Sequence, residues 1–130
     1  MTHHLTPRSA RRLAECHPDL VRLFEAVLAE VDFTVLCGHR NQAEQDAAYA
    51  AGKSRLRWPR SRHNSLPSQA VDVVPYPCDW NDLDAFRALA AVVKRKAAEL
   101  GIAVAWGGDW KGLIDMPHWE LASTAGAAGG

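Results

Sequence analysis

No run in this sequence approaches the roughly 20 consecutive apolar residues that a membrane-spanning helix needs, so no transmembrane helix and no stable membrane association are expected. Cysteine is scarce: Cys16, Cys37 and Cys78 are odd in number and form no CxxC pair, which argues against a disulfide framework and a thiolate zinc knuckle. Reduced thiols are the expectation. Neither sign of charge is in excess. The 15 basic and 15 acidic residues cancel, removing the global electrostatic reason to expect nucleic acid as a partner. Met1 to Arg8 lacks a continuous apolar stretch, so a Sec-type address is not expected either. What remains is ordinary globular composition, and 130 residues suffice for one core with little left for a second. A single domain over residues 1–121 is expected, followed by a flexible small-residue tail over 122–130.

Local patterns divide the chain into alternating elements. Thr6 before Pro7 reads as an N-cap with proline at the first helical position, opening a helix toward Cys16. From Pro18, the spacing of Leu20, Leu23, Phe24, Val27 and Leu28 predicts a helix of roughly three turns. Phe33 to Cys37 is β-branched and apolar and stops at Gly38, a strand signature. Asn41 to Ala51 favours a helix closed by Gly52, and Lys53 to Pro67 reads as a long irregular loop. Ala70 to Val74 predicts a second strand. Asn81 is expected to cap a helix whose stripe runs through Leu83, Phe86, Leu89, Ala90, Val93, Ala97 and Leu100 before Gly101. Ile102 to Trp106 and Pro117 to Leu121 are short strand candidates. Helices mixed with short strands, and too few βαβ units, predict an α+β domain with a small, mostly antiparallel sheet.

Two segments hold histidine near carboxylate: Ser61-Arg62-His63 leading to Ala70-Val71-Asp72, and Asp115-Met116-Pro117-His118-Trp119-Glu120. Two imidazoles and one carboxylate suit a catalytic zinc that keeps one position open for water. His63, Asp72 and His118 would supply that set. Asp72 is the lone acid in an apolar strand, where a buried carboxylate needs a partner; the alternative is a surface acid on an edge strand. Glu120 would share a strand face with His118 and competes with Asp115 as a base. His3, His4, His17 and His39 read as solvated or capping residues. Lys53, Arg55, Arg57, Arg60 and Arg62, interleaved with Trp58, form either a solvated basic loop or one that attracts an anionic substrate. Trp106, Trp110 and Trp119 read as core or cleft-wall residues.

These motifs, with Phe33-Thr34-Val35, Gly38-x-Arg40, Gln45, Asp79-Trp80-Asn81-Asp82-Leu83 and Trp106-Gly107-Gly108-Asp109-Trp110, resemble the M15 zinc peptidases, and among them the small phage-lysin branch. The resemblance covers roughly residues 6–121 and implies a Hedgehog/D-Ala-D-Ala peptidase-like fold. It implies Zn2+ on His63, Asp72 and His118, with Asp115 as general base and Arg40 as electrophilic partner. Ser61, Gln45 and Glu120 are then expected to bind substrate, with ordering of the loop the equal alternative for Ser61 and orientation of a ligand imidazole an alternative for Glu120. One departure is the spacing between His63 and Asp72, which is longer than the usual family pattern and carries Leu66-Pro67-Ser68 in place of a glycine. The implied activity is cleavage of the peptidoglycan stem peptide as an L-alanyl-D-glutamate endopeptidase endolysin. The alternatives are a D-alanyl-D-alanine carboxypeptidase and a non-catalytic, metal-bound cell-wall-binding domain. A monomer is expected, held in the bacterial cytoplasm until a holin-like pore opens the membrane.

Overall fold

The computed structural model describes residues 3–122, so the tail reading for 122–130 lies almost entirely outside the described residues. Within them the chain runs α1 (Pro7–Ala14), α2 (Pro18–Leu28), β1 (Phe33–Cys37), α3 (Gln42–Ala50), β2 (Ala70–Pro75), α4 (Leu83–Leu100), β3 (Val104–Trp106) and β4 (His118–Leu121). The strands form one antiparallel sheet in the order β1-β2-β4-β3, the α+β arrangement expected from sequence. None of the described helices is long and apolar enough to cross a membrane.

The sheet has two faces because side chains alternate along a strand. Register pairs Val71 with Trp119 on one face and Asp72 with His118, then Ala70 with Glu120, on the other. Val71, Val73 and Trp119 join Leu20, Leu23, Phe24, Leu89 and Val93 in the core beneath α2 and α4. Trp106 stacks on Trp119 with ring centroids 5.7 Å apart, so both belong to that core. Asp72 therefore lies on an inner strand, which removes the edge-strand reading. A bulge at Leu36 shifts β1 so that Cys37, rather than Leu36, pairs with Asp72.

As an edge strand, β1 exposes backbone groups that would otherwise pair with another chain. Helix α1 covers them. Ser9 Oγ accepts from Val35 N at 3.0 Å, and Arg12 Nη1 donates to Val35 O at 3.1 Å. Thr6 caps α1 through its side chain, and Asn41 and Glu44 close a capping box on α3, as their positions imply. His17 caps α2, its Nδ1 accepting from Asp19 N at 3.0 Å.

Three local readings are corrected. The N-cap of α4 is Asp82, whose Oδ1 accepts from Ala85 N at 3.1 Å; Asn81 instead turns its N–H to Asp79 Oδ1 at 2.9 Å. Both residues have capping chemistry, and only the position of the first helical turn separates them. Leu83 and Leu100, at the two ends of the α4 stripe, are exposed, because the helix outruns the sheet it packs on. The Lys53–Pro67 loop is not wholly irregular, since Arg62–Asn64 forms a 3₁₀ turn. Replacing Asp82 with Ala should lower unfolding stability by about 1 kcal/mol, whereas Asn81→Ala should stay within about 0.5 kcal/mol, measured by urea denaturation.

Candidate active site

His63, Asp72 and His118 come from a 3₁₀ turn and two strands, and their side chains meet at one point. Asp72 Oδ1 lies 3.2 Å from His63 Nε2 and 3.1 Å from His118 Nδ1, and the two nitrogens are 3.2 Å apart. Both imidazoles are essentially inaccessible to solvent. Within the longer segment between His63 and Asp72, Ser68 Oγ donates to Ala70 O at 2.6 Å and lies 3.1 Å from Gly38 O, while its backbone pairs with Glu15 and His17.

The far nitrogen of each ring is committed elsewhere. His63 Nδ1 donates to Gly38 O at 2.7 Å, because a carbonyl can only accept. His118 Nε2 donates to Glu120 Oε1 at 2.8 Å. In the neutral tautomers so fixed, His63 Nε2 and His118 Nδ1 each present a lone pair to the Asp72 carboxylate. Three electron-pair donors at this separation repel unless a cation lies among them. A tetrahedral ion with bonds of about 2.0 Å sets its ligand atoms about 3.3 Å apart, close to the spacing seen here. Burial alone would lower the His63 pKa, but the charge of Asp72 and its hydrogen bond raise it to about 10. Burial opposes ionisation of Asp72, yet the two imidazoles hold its pKa far below the usual carboxylate range.

Cys37, His63 and Asp72 also place ligand atoms within 4.8 Å of one another. The Cys37 Sγ, however, approaches His63 Nδ1, at 3.8 Å, and that nitrogen already serves Gly38. An ion between His63 and Asp72 would use Nε2, on the side of His118. The donor chemistry therefore fits a divalent metal on His63, Asp72 and His118 better than a set including Cys37.

Arg40 and Asp115 line the same cleft as Asp72 and His118, a space of about 570 Å³ whose other walls include Leu36, Lys53, Trp80 and Ile114. Arg40 Nη2 is 3.7 Å from Asp72 Oδ2, and Nη1 donates to Gln45 Oε1 at 2.9 Å. Asp115 is held by its backbone: its N–H donates to Gly107 O at 3.0 Å, and its carbonyl accepts from His118 N at 3.2 Å. Gly107 is required here, because a Cβ would come within 2.2 Å of Asp115 O. Burial, then the nearby Asp72 charge, raises the Asp115 pKa above the ordinary carboxylate value.

The three residues read as substrate-binding are buried among protein partners, Ser61 and Glu120 in the alternative roles that the sequence allowed them. Gln45 is fully buried; its Nε2 donates to Leu56 O at 2.6 Å and Ser54 Oγ at 3.1 Å, while its Oε1 receives Arg40 and Asn64. Ser61 Oγ accepts from His63 N at 3.2 Å and caps the turn that carries this histidine. Glu120 is buried behind His118, its second oxygen 3.3 Å from Arg62 Nε. Sequence reasoning did not find Arg62 in this role, nor Asn64, Trp80 and the Gly38 carbonyl. Their parts depend on register and loop closure, which carry no residue-type signature. Trp110, read as a core or cleft-wall residue, packs on His118 at 5.0 Å between ring centroids. The basic run does not form one stripe, since Arg62 turns inward to Glu120 and Gln69 while Arg57 lies over the Tyr49 ring.

The family model described as phage L-alanyl-D-glutamate peptidase matches residues 1–122. The L-alanyl-D-glutamate peptidase of Escherichia phage T5 is 33% identical over 137 residues, covering 93% of this chain and 99% of that protein. The crystal structure of the Serratia marcescens L-Ala D-Glu endopeptidase ChiX superposes with a TM-score of 0.78 at 40% identity, covering 92% of this chain and 91% of that one. The chain belongs to the phage L-alanyl-D-glutamate peptidase family.

Proposed function

We propose that this protein is a zinc-dependent endopeptidase that hydrolyses the L-alanyl–D-glutamate bond of the peptidoglycan stem peptide and acts as a phage or prophage endolysin. The observation that carries this reading is the convergence of two imidazole lone pairs on Asp72 in a cleft also lined by Asp115 and Arg40. A purely structural metal site would need neither of the last two. His63, Asp72 and His118 are the proposed ligands, and zinc held there supplies Lewis acidity and makes water nucleophilic near neutral pH.

Asp115 is the proposed general base. Its raised pKa suits it to take a proton from the attacking water and return that proton to the leaving amine nitrogen. Arg40 meets the scissile carbonyl oxygen as negative charge develops there, a contribution of about 3 kcal/mol for a well-placed donor. Gln45 fixes the Arg40 guanidinium and Ser61 orders the His63 turn, so both serve the substrate through their neighbours. Glu120 orients His118 from the side away from the cleft, as partners behind metal-binding histidines commonly do. The protein is proposed to act as a monomer and to await release in the cytoplasm. Its three free thiols are in keeping with a reducing compartment.

Digestion of purified peptidoglycan should release new L-alanine C-termini, detected by mass spectrometry, and a chelator should abolish their release. Free D-alanine in their place would instead identify a carboxypeptidase. His63→Ala, Asp72→Ala and His118→Ala should each lose most bound zinc in metal analysis. Asp115→Ala should retain metal and fold while turnover falls by about 10²-fold or more. If Glu120→Ala abolishes turnover while Asp115→Ala leaves it intact, the base is misassigned. Expression alone should leave bacteria intact, whereas co-expression of a membrane-permeabilising protein should give rapid, His118-dependent lysis followed by turbidity.

A further inference from the structure

Two basic side chains, Arg40 and Lys53, line the cleft, and the structure uses them differently. Arg40 is spoken for by Gln45 and Asp72. Lys53 lines the same cleft, is exposed, and its ammonium has no hydrogen-bond or ion-pair partner among the described residues. The base of its side chain is nevertheless fixed. Lys53 N donates to Ala48 O at 2.9 Å, and Ser54 Oγ is held by the same Gln45 that holds Arg40. Lys53 is thus a free charge on a flexible stem, anchored at a set place relative to Arg40.

The proposed substrate presents a charge that needs such a partner. In the stem peptide D-glutamate continues the chain through its γ-carboxyl, which leaves the α-carboxylate free on the carbon that bears the scissile nitrogen. Bound for cleavage, that carboxylate enters a cleft whose other cationic side chain, Arg40, is already engaged by Gln45 and Asp72. Among the residues that line the cleft, Lys53 is the one lysine or arginine besides Arg40, the neighbouring Leu36, Trp80, Leu113 and Ile114 being uncharged. We infer that Lys53 is the specificity residue that pairs with the free α-carboxylate of the D-glutamate on the leaving side of the scissile bond. The inference rests on the proposed endopeptidase activity and adds to it the group that distinguishes this carboxylate from its neutral amide.

Two acylated peptides, identical except that D-glutamate bears either an α-carboxylate or an α-carboxamide, test this with the zinc-loaded full-length protein. Both retain their C-terminal carboxylate, so general attraction to anionic peptide affects both equally. The wild-type protein should favour the α-carboxylate by about tenfold in kcat/KM, the size expected of one exposed charge-assisted hydrogen bond. Lys53→Gln should remove the preference through a higher KM for the α-carboxylate peptide, leaving its kcat and the carboxamide kinetics within about twofold. Lys53→Arg should restore it, and Lys53→Glu should reverse it. If the wild type cuts both peptides equally well, or if Lys53→Gln keeps the preference, the inference is overturned while the endopeptidase activity stands. If the wild type cuts neither, the endopeptidase reading fails and the inference falls with it.

Discussion

One oxygen of Asp72, facing the lone pairs of two buried imidazoles, sets the terms for the rest of this structure. Such a group of acceptors is tolerable inside a protein only if a positive charge lies among them and the groups behind them are fixed. The Gly38 carbonyl and the Glu120 carboxylate fix the two rings. Much of the surrounding chain then serves those fixings. Ser68 ties Gly38 to the loop, Ser61 caps the His63 turn, and α1 seals the outer edge of β1 just before Gly38. The electrostatic cost of the cluster is therefore offset by a scaffold of hydrogen bonds, from a neutral carbonyl on one ring and an ion-paired carboxylate on the other, and not by apolar packing alone.

Packing enters through the same strands. Along β2 and β4, core and site residues alternate: Val71 and Trp119 face the helices, while Asp72, His118 and Glu120 lie on the opposite face of the sheet, which carries the site. The core thereby fixes the register that aligns the ligands, because a slip of one residue would put a carboxylate among Leu20, Phe24 and Val93. The bulge at Leu36 is a local exception in that register, and it brings both Leu36 and Cys37 to the site side of β1. The Trp106–Trp119 stack extends the same logic to β3, the strand that leads into Gly107 and the Asp115 segment.

The elements were readable because their signals are local. Thr6 and Asn41 announce helix starts, and the spacing of Leu20 to Val27 announces a buried face. Where two residues had equal local chemistry, as with Asn81 and Asp82, the sequence offered no means of choosing between them. In the site, His63, Asp72 and His118 stood out by residue type, and the family resemblance drew them together across the chain. Arg62 and Asn64 did not stand out, because an arginine beside a basic loop looks solvated until Glu120 is known to lie beneath it. Gln45 was legible as part of the motif, but its complete burial was not, since a glutamine in a short polar helix ordinarily faces water. Backbone acceptors such as Gly38 O leave no trace in residue identity at all.

The ion pair between Arg62 and Glu120 joins the two histidines by a second route. Arg62 adjoins His63 in the chain and grips Glu120, which grips His118, whose ring in turn faces His63 across the proposed metal-binding point. The links close into a circuit, so neither imidazole can turn independently of the other. Strain introduced at any link is shared around it, and the energetic effects of changing Arg62, Glu120 and the histidines should be far from additive. Two ligands from distant parts of the chain thus behave as one mechanical part.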